Sequence, residues 1–319
     1  MDLLVLGGTS FVGRAIVAEA LTRGDSVTLF SRGLTGTELF PEVARLVGDR
    51  ATGDYASLAG LRWDAVVDVS AYVPRHVQQA ADAVRTGRML LISTGSVYDG
   101  LQVPAEVAGA MDEDAPRLAP ERGTEVVDGD TYGPLKVACE DDVSARHADA
   151  ATIVRPGIVA GPYDPTERFT HWVRRAGRGG RVALPGRPDQ PVQVVDSRDL
   201  AHLVVQLVHD DRPGTYNAVG PAQPVTLRGL IEACARAAGT AVEVVPVPQS
   251  AVQPDLPLVL GDASFDPLAR RSAARARAVG LTATPLEKTA ADVLAWDRLR
   301  GEPPLASELS AEREADLLR

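Results

Sequence analysis

The chain has 319 residues, 45% hydrophobic and 24% charged, with a formal net charge of −10 at pH 7. That supports one large domain or two unequal ones with a sizeable core, and the acidic surplus argues against nucleic acid as a partner. Two distant cysteines, Cys139 and Cys234, form no CxxC or Cys/His cluster, so neither a disulfide scaffold nor a metal site is expected.

The elements alternate from the start. "LLVLGG" (3–8) reads as a short buried strand, and 10–24 as a helix with Ile16, Ala20 and Leu21 on one face and Gly24 as its C-cap. Further strands are predicted at 26–30, 43–49, 63–71, 88–96 and 151–157, with helices at 55–60, 74–87 and 132–148 between them. Such alternation implies an α/β fold with a doubly wound, mostly parallel sheet, the Rossmann arrangement. After residue 157 the pattern breaks at the Pro- and Gly-rich "GPYDPTER". A basic, partly helical segment follows at 168–181, then strand and helix over 192–210 with Asp196 or Ser197 as cap. A strand at 215–220 and a helix at 226–239, running from Thr226 to Gly239, precede small helices capped at Thr284 and Ser310. The expected division is a dinucleotide-binding domain over 1–157, with 192–220 returning to it. Residues 158–191 and 221–319 then form a smaller substrate-binding lobe. No window of eighteen uninterrupted apolar residues occurs and the N-terminus lacks the basic flank of a signal peptide, so a soluble cytoplasmic protein is expected.

"VLGGTSFVGRA" joins the first strand to the first helix, which is the context a dinucleotide phosphate loop requires. Gly7 makes the tight turn and Gly13 allows close packing of helix on strand. Ser10, Phe11 and Val12 open the helix, whose free N–H groups attract a pyrophosphate. Ser10 stands where the fingerprint expects its middle glycine. The second strand ends in "LFSRG", so Ser31 and Arg32 occupy the place of the acidic residue that grips the ribose of NAD. Ser and Arg welcome a 2′-phosphate, which favours NADP(H), with NAD(H) the other choice and Arg14 as an assistant. Asp49, after the third strand, is a candidate partner for the adenine amino group.

The fifth strand ends "ISTGSVYDG", placing Thr94 at the ligand-binding edge of the sheet. Tyr132 and Lys136, at i and i+4, share one face of the next long helix, capped by Asp130 or Thr131 with Pro134 in its first turn. Alone, Tyr132 would read as an ordinary amphipathic-helix tyrosine. Its coincidence with Thr94 and the glycine loop on one rim argues for chemistry. A nearby ammonium would lower the phenol pKa from its usual value of about 10 and ready Tyr132 for proton transfer.

These motifs resemble the extended short-chain dehydrogenase/reductase family, the epimerase/dehydratase-like group. The matching stretches are "GGTSFVG", "ISTGSVY", "YGPLK" and "VRPGIVAGP", in order and over nearly all of the chain. The resemblance implies that Thr94, Tyr132 and Lys136 are catalytic and that Lys136 also holds the nicotinamide ribose. It further implies that Ser70 and Ala71 line the cofactor, with Pro156, Gly157 and Ile158 near its nicotinamide end. Family members often form homodimers through two long helices, for which 74–87 and 132–148 are the candidates. The family's dehydratases carry an Asp–Glu pair after the catalytic Thr, where this chain has Gly95 and Ser96, so dehydration is not expected. With Ser31–Arg32 and Ser10, this favours an NADP(H)-dependent reductase of a ketone or aldehyde. The alternatives are an NAD-dependent nucleotide-sugar 4-epimerase and a non-catalytic dinucleotide sensor. Arginines 168, 174, 175, 178 and 181 either clasp an anionic substrate or form a solvated basic helix. Trp172 is expected in the core and His76 at the surface of a helix start.

Overall fold

A computed structural model of the chain describes residues 1–100, 111–252 and 256–319. Seven strands build the central sheet: β1 (Asp2–Leu6), β2 (Ser26–Ser31), β3 (Ala44–Val47), β4 (Ala65–Asp68), β5 (Met89–Ile92), β6 (Ala151–Pro156) and β7 (Gly214–Ala218). Every neighbouring pair is parallel, in the order β7-β6-β5-β4-β1-β2-β3. The chain leaves β1 toward β2 and β3, then returns to β4 on the other side of β1. That reversal opens a crevice at the carboxyl ends of the strands.

The helices are α1 (Phe11–Thr22), α2 (Pro74–Ala83), α3 (Tyr132–His147), α4 (Arg168–Gly177), α5 (Ser197–His209), α6 (Leu227–Ala238), α7 (Ala274–Ala278), α8 (Leu286–Leu299) and α9 (Ala311–Leu317). Strand side chains alternate between faces, so β1 feeds two cores. Leu3 and Val5 pack with Ile16 and Val17 of α1 and Leu200 and Leu203 of α5. Leu4 and Leu6 pack with Val77 of α2 and Cys139 and Val143 of α3. A third core gathers Phe169 and Trp172 of α4, Leu230 of α6 and Val293 of α8. Beside it, Gly180–Pro185 and Val242–Val247 pair in parallel.

Several boundaries move for local reasons. The predicted strands 63–71 and 88–96 shorten to β4 and β5 because their last residues leave the ladder to line the crevice. The helix predicted to reach 87 stops at Ala83, where Val84 turns extended and buries itself. Arg85–Thr86 then pairs with Arg62–Trp63. Thr226, Ser310 and Asp196 accept helix-start N–H bonds as N-caps. Thr284 does not cap α8: it precedes Pro285, which disfavours helical backbone, and it bonds to Asp199 instead. At α3, neither Asp130 nor Thr131 makes the side-chain cap. The Asp128 carboxylate, two residues upstream of Asp130, accepts from the N–H groups of both.

Candidate active site

The crevice is a cavity of about 690 Å³ running from the glycine loop to the start of α3. At its floor Gly7 has φ +92°, and a Cβ there would lie 2.8 Å from the Ser70 Cβ. A Cβ on Gly13 would run into the Gly7 carbonyl, so α1 rests on the end of β1 only because neither residue has a side chain. Ser10 adopts extended backbone ahead of α1 and its hydroxyl is not spent on a cap bond. Ser10, Phe11 and Val12 all face the cavity. The donors and the cradle fit a nicotinamide dinucleotide, whose phosphates the loop would hold.

Ser31 and Arg32 line the same cavity at the end of β2. Arg32 is exposed and has no ion pair among the described residues. Arg14 is committed elsewhere: its guanidinium stacks 3.6 Å from the Tyr163 ring centroid. The Asp49 carboxylate borders the cavity and accepts the Ala51 N–H at 2.9 Å. Next to it stands Arg50, which sequence reasoning missed. Its fork meets both oxygens of Asp68 at 2.6 and 2.7 Å and reaches Ser70 Oγ at 2.9 Å and the His76 carbonyl at 3.0 Å. A bidentate pair of this kind locks the ends of β3 and β4 together. The signal was "AVVDVS", a carboxylate ending a run of buried apolar residues, which demands a partner. His76 is half-buried rather than at the surface. Desolvation, reinforced by Arg50, pushes its imidazole down to about 4.

Thr94, Tyr132 and Lys136 converge on the inner end of the cavity. Thr94 caps one turn of 3₁₀-helix, its Oγ1 accepting the Ser96 N–H at 3.1 Å. Lys136 is buried and donates to the Ala71 carbonyl at 2.6 Å and the Ile92 carbonyl at 2.8 Å. An ammonium has three N–H donors, so one remains. Ala71 thus enters the site through its backbone and does not line the cavity wall. Burial holds the Lys136 pKa below its usual value. The expected lowering of the Tyr132 pKa is not found. Burial of the phenol raises it, and the hydrogen bond from Thr94 offsets this only in part, because the ammonium is engaged with carbonyls instead.

Behind these residues lies a network that the sequence did not reveal. Glu140, one turn past Lys136, accepts from Arg155 at 2.9 and 2.7 Å, from Ser93 Oγ at 2.5 Å and from Arg117 at 3.1 Å. Ser93 precedes Thr94, so the network ties β5, β6 and α3 together at the site. Pro156, Gly157 and Ile158 border the cavity as expected. Two unforeseen residues join them. Asp164 is buried, its Oδ2 has no partner among the described residues, and burial raises its pKa. Arg271 lines the wall near Gly95, and burial pushes its guanidinium down to about 10. Of the basic segment only Arg168 reaches the cavity. Arg174 pairs with Asp297, Arg175 with Glu314 and Arg178 with Glu308, binding α4 to the C-terminal elements. Trp172 is fully buried and donates to the Pro257 carbonyl at 2.7 Å.

Residues 3–219 match the NAD dependent epimerase/dehydratase family, and the chain belongs to it. A curated relative, the chloroplast stem-loop binding protein of 41 kDa b from Arabidopsis thaliana, is 25% identical over 257 residues. That alignment covers 74% of this chain and 63% of the relative, so the chain spans under two thirds of the relative's length. Among solved structures, UDP-glucuronic acid 4-epimerase from Bacillus cereus in complex with NAD superposes with a TM-score of 0.69 at 16% identity. That match covers 94% of this chain and 99% of that one. UDP-glucose 4-epimerase with UDP-glucose from Thermotoga maritima gives 0.68 at 17% identity over 94% and 99%. The likeness to both is one of fold. Family membership and the lining of the cavity both point to a nicotinamide dinucleotide as the ligand of this site. No helix among the described residues is long and apolar enough to cross a membrane, and no group of three or more His, Cys, Asp or Glu residues there could hold a metal ion.

Proposed function

We propose that this protein is a nicotinamide-dinucleotide-dependent 4-epimerase of a nucleotide-sugar substrate, working by transient oxidation and re-reduction of the secondary alcohol at carbon 4. The observation that carries this reading is the meeting of Thr94, Tyr132 and Lys136 with the glycine loop in one cavity. The bound dinucleotide would supply the hydride acceptor and donor. The chain's own groups would do the rest. Gly7, Ser10 and Val12 hold the phosphates, and the remaining Lys136 donor holds the ribose. Tyr132 exchanges a proton with the substrate oxygen, and Thr94 hydrogen-bonds that same oxygen. A buried phenol with a raised pKa is protonated at neutral pH, so Tyr132 is poised as the acid of the reducing half-reaction. Gly95 and Ser96 put no carboxylate beside Thr94, which disfavours elimination of water.

A second reading, single-pass reduction of a ketone or aldehyde by NADPH, draws on Arg32, a cation at the end of β2 without an ion pair among the described residues. Nucleic-acid binding is suggested by the name of the stem-loop binding relative, while the net charge of −10 weighs against it. The deciding experiment denatures freshly purified protein and identifies any released nucleotide, then titrates the emptied protein with NADH and NADPH. Retained NAD supports the epimerase, because an internal hydride shuttle returns its cofactor to the starting state. An empty site preferring NADPH supports the reductase. Affinity for neither nucleotide would sink both.

A further inference from the structure

Among the described residues, Arg271 is a cation without a counter-charge. No carboxylate lies within ion-pair distance of its guanidinium among the described residues, and its Nε is sealed from solvent with no hydrogen-bond partner. By contrast Arg50 and Arg155, also near the site, are held in bidentate pairs by Asp68 and Glu140. The position of Arg271 is built rather than incidental. Gln193 grips its backbone from both sides, accepting the Arg271 N–H at 2.9 Å and donating to its carbonyl at 2.8 Å. Two glycines make room for the side chain. Any side chain at 95 would collide with the guanidinium, and a Cβ at 157 would come within 3.2 Å of Nη2. One of these glycines directly follows Thr94 and the other follows Pro156, and the guanidinium opens on the cavity that holds Tyr132.

A half-buried charge without a partner among the described residues is costly, and a planar guanidinium fork is the side chain best matched to a carboxylate. We infer that Arg271 is an anion receptor which selects a substrate carrying a carboxylate next to the reacting carbon; this rests on the reading of the cavity as a hydride-transfer site. Closeness to Thr94 sets which anion is read. In a nucleotide-linked hexose the diphosphate sits on carbon 1, across the ring from carbon 4. The substituent on carbon 5 adjoins the reacting centre, and in a uronic acid that substituent is a carboxylate. The substrate class is therefore a nucleotide-linked uronic acid in preference to the neutral hexose.

The test uses the full chain saturated with NAD⁺. Titration calorimetry with UDP-glucuronic acid and UDP-glucose, which differ at that substituent alone, is run on the parent, Arg271→Met and Arg271→Lys proteins, with melting temperatures recorded for each free protein. The parent is expected to bind the uronic acid about 10- to 100-fold more tightly, the range for hydrogen bonds to a charged group. Arg271→Met should erase that preference while leaving NAD⁺ affinity unchanged, and Arg271→Lys should keep part of it. Free Arg271→Met should melt at or above the parent, because it removes a charge that has no partner among the described residues. Equal affinity for the two sugars in the parent, binding of neither, or a preference that survives in Arg271→Met would overturn the proposal. A clear fall in the melting temperature of free Arg271→Met would also overturn it, by showing a structural role. Failure of the parent to bind any dinucleotide is read before sugar is added, and strikes the hydride-transfer reading instead.

Discussion

The Arg155–Glu140 pair offers the sharpest test of how this site is held. Both side chains are almost completely buried, and Arg155 makes two bonds to Glu140 together with bonds to Tyr98 Oη at 2.8 Å and the Glu113 carbonyl at 3.0 Å. Arg155→Met keeps most of the volume and removes the charge. Breaking a buried pair from one side costs about 3–5 kcal/mol, since the partner stays buried and charged. Here Glu140 retains Ser93 and the partly exposed Arg117, so a loss near the lower end, about 3 kcal/mol, is expected. Urea unfolding followed by circular dichroism gives the number, with an unchanged m-value showing that the unfolding transition is the same one. The double variant Arg155→Met/Glu140→Gln removes the orphaned charge and should recover at least about 1 kcal/mol relative to the single change. A single-variant loss below about 1 kcal/mol, or no recovery in the double variant, would refute the claim that this pair fastens β6 to α3.

Three further outcomes follow from the site. Tyr132→Phe should lower turnover by about 10²- to 10⁴-fold, the usual contribution of a positioned acid–base group, with dinucleotide affinity within about threefold of the parent; near-normal conversion of the nucleotide sugar to its C4 epimer, followed by chromatography, would exclude Tyr132 as the proton carrier. Because burial raises the Tyr132 pKa, the oxidising direction, which needs the phenolate, should accelerate about tenfold per pH unit until that raised pKa is reached. The reducing direction should stay flat over the same range, and an oxidation rate level from pH 7 upward would contradict this. Arg32→Asp places a carboxylate at the end of β2 and should move the NADPH-to-NADH affinity ratio toward NADH by about tenfold or more. An unchanged ratio in fluorescence titration would show that this position does not read the ribose.

The parts of this protein that were legible in the sequence are those written in local chemistry. The glycine loop between β1 and α1, the i and i+4 pairing of Tyr132 with Lys136, and Thr94 at a strand end each follow from residues a few positions apart. So do the caps at Thr226 and Ser310. What stayed hidden depends on residues far apart in the chain. Arg50 meets Asp68 across 18 positions, Gln193 grips Arg271 across 78, and Arg174 finds Asp297 across 123. The basic segment read as a substrate clasp or a solvated helix because the acidic partners of Arg174, Arg175 and Arg178 lie in the last 25 residues, where no local signal connects them.

The same logic explains the one electrostatic expectation that failed. From sequence, Lys136 lies one helical turn from Tyr132, and proximity alone suggested a depressed phenol pKa. In the fold, the Ala71 and Ile92 carbonyls claim the ammonium, and the interior that encloses Tyr132 penalises the phenolate. Lys136 therefore does two separable jobs: it fastens the end of β5 and the loop after β4 to α3, and it leaves one donor for a ligand. Lys136→Met separates them, because a merely structural lysine would lose stability and dinucleotide affinity in step. A ligand-binding lysine would lose dinucleotide affinity further than its fall in stability explains.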